Sequence, residues 1–264
     1  MSESQARSRS VLVTGGSRGI GAAVALACAR AGWDVAINYT RDAGAAEKVA
    51  HEVRALGRRA LPVQADVADE GAVLAMFARI DAELSPLEGL VNNAGVVDAM
   101  ARVDQTSLAR LQRMFAINVF GSFLCAREAV RRMSTKHGGK DLKLPAGSGQ
   151  GGAIVNLSSV AAKLGGPGWY VDYAASKGAI DTFTIGLARE VAQEGIRVNA
   201  VRPGIIDTDI HASGGQPERA HQSAALIPMQ RPGTADEVAE AVLWLLSDAA
   251  RYTTGAILDV SGGR

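Results

Sequence analysis

Seven short apolar runs punctuate the chain, at residues 11–13, 35–39, 60–64, 87–91, 153–157, 196–201 and 256–260, and each reads as a β-strand. Between them lie longer stretches with helical spacing. An alanine-rich one ends at Ala31-Gly32, and others cover 43–56, 69–84, 107–133, a segment beyond Pro167 that reaches about Gln193, and 234–246. Asp69 stands where a helix begins, and Asp236 and Glu237 place acids in the first turn of the helix that starts at Thr234. Strand and helix alternate throughout, which predicts one α/β domain built on a doubly wound, mostly parallel sheet. No short-period repeat interrupts the alternation.

Two stretches break the pattern. Residues 134–152 are rich in Gly, Lys and Ser and read as a flexible surface loop rather than a domain linker. Residues 207–229 carry Gly214, Gly215, Pro217 and Pro228 among polar positions, an irregular composition that reads as a flap over a substrate. The polar start, residues 1–9, is expected to be a disordered tail before a domain at 10–264.

The bulk composition narrows the classes of partner. Of 264 residues, 47% are hydrophobic and 21% charged, the balance of an ordinary globular protein. Lys and Arg total 28 against 27 Asp and Glu, so the overall charge points to neither nucleic acid nor an anionic membrane. The expected partner is a small molecule. No run approaches membrane-spanning length, and the first residues lack the apolar core of a signal peptide, so a cytoplasmic location is expected. Cys28 and Cys125 read as packing residues in a reducing compartment. His51, His137, His211 and His221 show no ligand spacing, so no metal is expected.

Candidate chemistry begins at the end of the first strand. Thr14-Gly15-Gly16-Ser17-Arg18-Gly19-Ile20-Gly21 places glycines at a strand-to-helix junction, where a backbone without side chains can approach a pyrophosphate and the helix N-terminus faces its charge. The second strand ends without the acid that commonly binds an adenosine ribose. Asp34 sits at the wrong end and Asp42 lies beyond the contact point, whereas Arg18 and Arg41 could flank a 2′-phosphate. This favours NADP over NAD, with Asp42 reaching the ribose as the alternative. Asp66 could accept from the adenine amino group or serve as a strand-end cap. Asn92-Asn93-Ala94-Gly95 follows the fourth strand, where asparagines satisfy open backbone groups and the small residues leave room for a ligand. Asn118 lies in apolar surroundings and needs hydrogen-bond partners.

Further on, Tyr173-Ala174-Ala175-Ser176-Lys177 puts a phenol and an ammonium four positions apart, on one helix face. Moving a tyrosine from pH ~10 to about 7 takes roughly 4 kcal/mol. A charge ~5 Å away at an effective dielectric of about 20 supplies roughly 3 kcal/mol. The pair therefore reads as a proton donor with its tuner. Tyr170 lacks such a partner, since Ala174 stands four positions on.

With the glycine turn, Asn92-Asn93-Ala94-Gly95, a strand-end serine, Tyr-x-x-x-Lys and Pro203-Gly204 in order, the chain resembles the short-chain dehydrogenase/reductase family, over about residues 10–264. It is similar to the single-domain branch that includes 3-oxoacyl-carrier-protein reductases and glucose 1-dehydrogenases. The resemblance implies a Rossmann-type sheet of about seven strands and hydride transfer between NADP(H) and a secondary alcohol or ketone. Ser159 would orient the substrate oxygen, Tyr173 would act as general acid or base, Lys177 would tune it and hold the nicotinamide ribose, and Asn118 would hold a relay water. Cofactor contacts are implied for Gly15, Ser17, Arg18, Gly19 and Ile20 in the turn, and for Tyr39 and Arg41 after the second strand. Others are implied for Asp66, Val67, Asn93, Ala94 and Gly95, and, beside Tyr173 and Lys177, for Pro203, Gly204, Ile206 and Thr208.

Two departures qualify the match. Ser159 precedes Tyr173 by fourteen positions, one more than is usual, which leaves Ser158 as an alternative, and the loop around 140–150 is longer than usual. The family also implies a homotetramer or dimer through the long helices near Asn118 and Tyr173, plus the C-terminal strand. A cofactor-binding regulator without turnover is the competing reading, opposed by the intact Ser159, Tyr173 and Lys177. An epimerase or dehydratase of the longer branch is opposed by the glycine pattern and the lack of a C-terminal substrate domain.

Overall fold

The computed structural model describes residues 8–138, 149–208 and 219–264. Seven strands form one parallel sheet in the order β3-β2-β1-β4-β5-β6-β7. They are β1 Ser10–Val13, β2 Asp34–Tyr39, β3 Ala60–Gln64, β4 Leu87–Asn92, β5 Gly152–Leu157, β6 Ile196–Pro203 and β7 Ile257–Val260. The helices are α1 Gly19–Arg30, α2 Ala43–Ala55, α3 Glu70–Glu83, α4 Leu108–Phe115, α5 Gly121–Met133, the single turn α6 Ala161–Leu164, α7 Val171–Val191, the short α8 Arg219–Gln222 and α9 Ala235–Leu246. This is a doubly wound Rossmann-type sheet.

The strand sequences explain the layering. In β1, Val11 and Val13 join one apolar cluster with α1, α2 and α9, while Leu12 between them joins a second cluster with α3, α5 and α7. Alternate side chains go to opposite faces, so a strand covered on both faces must be apolar at every position. The chain changes direction along the sheet between β1 and β4, and open sheets of this kind bind ligands at such a switch, beyond the strand C-termini.

Capping fixes the helix starts. The carboxylates of Asp42 and Asp69 accept from the backbone N–H of Ala45 at 2.8 Å and Ala72 at 2.9 Å. Thr234 and Glu237 form a reciprocal capping box at α9.

The structure departs from the sequence reading in two places. The stretch expected as one helix over 107–133 is interrupted by a π-helical turn, Ala116–Phe120, centred on Asn118, and such turns commonly mark functional positions. The tail expected over 1–9 is anchored at its end: the Ser8 hydroxyl donates to Asp34 at 2.9 Å, and the Arg9 guanidinium lies 4.0 Å over the Trp33 ring. Residues 1–7 lie outside the described residues, as do 139–148 of the expected loop and 209–218 of the expected flap. The loop's described ends are tied down, with Thr135 N–H donating to Glu194 and Gly151 N–H to Met133. The described part of the expected flap contains α8 and a 3-10 turn at Ala224–Leu226.

Candidate active site

The glycine turn is held by the neighbouring strand ends. Thr14 Oγ1 accepts from the N–H groups of Asn93 and Ala94, both at 2.9 Å. Asn93 Nδ2 returns bonds to the carbonyls of Thr14 and Gly15, at 2.8 and 3.0 Å. From the other side Asn38 Oδ1 accepts from Gly15 N–H. The glycines are sterically required. A Cβ on Gly21 would fall 2.2 Å from the Gly15 carbonyl oxygen, and Gly15 itself has φ +61°, a left-handed conformation that suits glycine. The result is a cradle of bare backbone at the N-terminus of α1, facing the switch point, which fits a dinucleotide pyrophosphate.

Around the expected adenosine end, Arg18 and Arg41 are both exposed at the C-terminal edge of the adjacent strands β1 and β2. Tyr39 closes β2 half-buried, and Ser17 is half-buried in the turn. Asp42, the alternative ribose ligand, is engaged instead as the cap of α2. Asp66 closes its own turn by accepting from Ala68 N–H at 2.9 Å, and Val67 is buried against Gly121.

The catalytic candidates converge on a cavity of 430 Å³. Ser158 and Ser159 both line the cavity; Ser158 is buried and its hydroxyl donates to the Lys177 carbonyl at 3.2 Å. Ser159 Oγ accepts from Ala161 N–H, which leaves its proton free to donate onward. Tyr173 and Lys177 share the inward face of α7, and Lys177 Nζ lies 5.7 Å from the Tyr173 ring centre. Lys177 is buried and donates to the Leu157 carbonyl at 2.6 Å. Burial pushes its pKa from 10.5 down to about 8, against the pull of Asp181 one turn along.

The connection between Ser159 and Tyr173 turns on glycines after α6. Gly165, Gly166 and Gly168 all have left-handed φ, between 56° and 73°. The remaining candidates surround the same space. A Cβ on Gly95 would stand 3.6 Å from Lys177 Nζ, and one on Gly19 would stand 3.6 Å from the Thr208 side chain. Ile20, Pro203, Gly204 and Ile206 line the cavity beside Thr208.

Asn118 supplies position rather than a free amide. Its Oδ1 accepts from Val96 N–H at 2.8 Å, and its Nδ2 donates to Val96 O at 3.0 Å and to Ser176 Oγ at 3.1 Å. Its carbonyl accepts from Ser122 Oγ. The Ser122 carbonyl in turn accepts from Asn92, whose amide bonds Asn156, which bonds Thr184 on α7. This buried polar chain runs over β4 and β5, on one face of the sheet, from the π turn to the helix that carries Tyr173.

A family model described as enoyl-(acyl carrier protein) reductase matches residues 15–264. The chain belongs to the short-chain dehydrogenase/reductase family. It is 53% identical over 253 residues to an uncharacterised oxidoreductase of Escherichia coli K12, YgfF, covering 96% of this chain and 98% of that protein. It is 36% identical to the 3-oxoacyl-(acyl-carrier-protein) reductase FabG of Staphylococcus aureus, over 97% of each. Among solved structures, a short-chain dehydrogenase of Burkholderia cenocepacia in complex with NADP superposes with a TM-score of 0.85 at 35% identity, covering 97% of this chain and 98% of that one.

Within this short-chain dehydrogenase/reductase, several positioning residues escaped the sequence reading. Asn38 and Asn156 are amides inside apolar strands, and that polarity is the signal that could have marked them. Arg110 was hidden on an amphipathic helix; it grips Asp172, next to Tyr173, at 2.7 and 3.1 Å and so locks α4 to the start of α7. Tyr170, set aside for want of a lysine partner, is buried and lines the cavity. Both cysteines are buried and free, and burial pushes each thiol up to about 12. Among the described residues no group of His, Cys, Asp and Glu could hold a metal ion, and no helix is long and apolar enough to cross a membrane.

Proposed function

We propose that this chain is an NADP(H)-dependent reductase or dehydrogenase of ketones and secondary alcohols, acting as one domain over residues 10–264. The observation that carries the reading is the meeting of Ser159, Tyr173 and Lys177 in one cavity with the bare-backbone cradle. When bound, the dinucleotide supplies or accepts the hydride. Ser159 donates a hydrogen bond to the carbonyl oxygen and fixes its position. Tyr173 delivers its phenolic proton to that oxygen as the C=O π bond becomes C–H and O–H, and takes it back in the oxidative direction. Lys177 stabilises the resulting phenolate, since its ammonium stands on the same helix face. Asn118 and the polar chain behind it hold the π turn against α7.

The 2′-phosphate preference rests on Arg18 and Arg41 standing exposed while Asp42 is engaged as a cap. Titration with NADPH and NADH, followed by fluorescence, tests it. NADPH should bind more tightly, and Arg41→Ala should weaken NADPH selectively; equal NADH binding that the variant leaves unchanged would overturn the assignment. A regulator without turnover would bind NADPH yet reduce no carbonyl compound.

The same reading includes a homodimer or tetramer. Phe120 and Phe123 are exposed at 58% and 46% beside an apolar groove lined by Leu111, Phe115 and Val171. A surface of this kind fits a second copy of the long helices. Phe120→Glu should lower the mass measured by light scattering; an unchanged mass would remove this face from the interface. A cytoplasmic location belongs to this reading too, in keeping with two unpaired thiols.

A further inference from the structure

The cavity has two unlike ends. At one, Ser159 and Tyr173 face the space beside the cradle. Away from them the wall is Val97, Leu164, Pro167, Trp169, Tyr170 and Leu226. Several other polar groups in the lining are engaged within the protein: the Asn93 amide with the Thr14 and Gly15 carbonyls, the Ser158 hydroxyl with the Lys177 carbonyl, and Lys177 with the Leu157 carbonyl; Thr208, Tyr170 and Arg264 add a few further polar groups to a mostly apolar surface. Lys177 and Arg264 are the charged side chains among the described lining residues.

Three of the wall residues also stand open to water. Leu164 is 49% exposed, Trp169 47% and Leu226 66%. Such surface is unfavourable in water, and the cost is recovered only when something apolar covers it. Trp169 is nevertheless held in place. Its carbonyl accepts from Ala101 N–H at 3.0 Å, its ring packs edge-on against Tyr170 with centres 6.2 Å apart, and it follows a turn whose left-handed glycines include Gly168.

Resting on the proposed carbonyl reduction, we infer that the substrate is a neutral, largely apolar carbonyl compound, with a ring or hydrocarbon chain lying against Trp169, Leu164 and Leu226. A sugar carries hydroxyls on nearly every carbon, and each one buried against this wall without a partner would weaken binding. An aryl or alicyclic ketone needs polar partners only at its reacting oxygen, where Ser159 and Tyr173 stand. Pockets of this composition bind by apolar contact and use few polar groups to fix orientation.

The test measures NADPH oxidation by purified protein with 1-tetralone, the keto sugar fructose, acetoacetyl-pantetheine and acetoacetate, alongside direct NADPH titration. The inference expects kcat/KM for the tetralone to exceed the other three by at least about tenfold. Trp169→Ala should lower that value by about tenfold, mainly through KM, with NADPH affinity unchanged, and Leu226→Ser should act in the same direction. If fructose, the thioester or the carboxylate is reduced as well as the tetralone, or if both variants leave the tetralone value unchanged, the inference is overturned while carbonyl reduction stands. If NADPH binds and none of the four is reduced, carbonyl reduction fails and this inference with it.

Discussion

The two sides of the active cleft are built from different materials. The proposed cofactor side is main chain and short polar side chains, closed by Thr14, Asn38 and Asn93 and by Gly21, where an added Cβ would fall 2.2 Å from the Gly15 carbonyl oxygen. The proposed substrate side is large apolar side chains, of which Leu164, Trp169 and Leu226 are half in water. The first is part of the fold; the second is carried by it. Changes on the cofactor side should therefore disturb stability and binding together, whereas changes on the substrate wall should alter selectivity and leave the protein folded.

The sharpest test is at the proposed reacting groups between the two. Tyr173→Phe should lower kcat by about a thousandfold in a steady-state assay, within the usual range for a general acid, with NADPH affinity nearly unchanged. Next comes the cradle. Gly21→Ala forces its Cβ onto the Gly15 carbonyl, so thermal unfolding should show a loss of about 1–3 kcal/mol and titration a large fall in NADPH affinity. A variant that loses neither would break the comparison.

Lys177 gives a pH-dependent test. Its pKa is about 8 in the folded chain against 10.5 for an ordinary lysine, so the unfolded chain binds the proton more readily. The burial penalty, on the order of 3 kcal/mol, is fully present below pH 8 and is relieved as pH rises towards 10.5. Lys177→Met should thus be more stable than the parent at pH 7 while losing activity, and its advantage in melting temperature should shrink as the pH is raised through that window. A constant advantage would show that the buried charge is not its source.

Asp181 should have a smaller effect. It raises the Lys177 pKa, and Asp181→Asn leaves Arg202 without that partner, so the basic limb of the pH–rate profile should move to lower pH; no movement would separate Asp181 from the site. Smallest of all, Leu164→Ala on the exposed wall should change unfolding free energy by less than about 0.5 kcal/mol. A larger loss would make the substrate wall part of the fold after all.

What could be read in advance follows the same division. Strand positions were legible because apolar runs between helical stretches are local signals, and β3 falls at the expected 60–64. Gly15, Gly19, Gly21, Tyr173 and Lys177 were legible because their geometry is set by one turn and one helix. The π turn at Asn118 was not, since nothing in Phe115-Ala116-Ile117-Asn118-Val119-Phe120 breaks a helix; long-range bonds to Val96 and Ser176 accompany it. Arg110 with Asp172 was invisible for the same reason, joining elements sixty-two residues apart, and Arg202 with Asp181 depends on how β6 packs against α7. The choice between Ser158 and Ser159 could not be weighed in the sequence, because the bond from the Ser158 hydroxyl to the Lys177 carbonyl joins residues nineteen apart.

The bonds from Asn93 and Ala94 to Thr14 span about eighty residues. During synthesis the glycine turn therefore leaves the ribosome long before the strand end that closes it. A nascent chain holding only β1 to β3 has the turn's residues without the asparagine that locks them, so nucleotide cannot help that early intermediate to fold. Closure of the cradle belongs instead to the docking of β4 on β1, a late, non-local event of the kind that slows folding in parallel sheets.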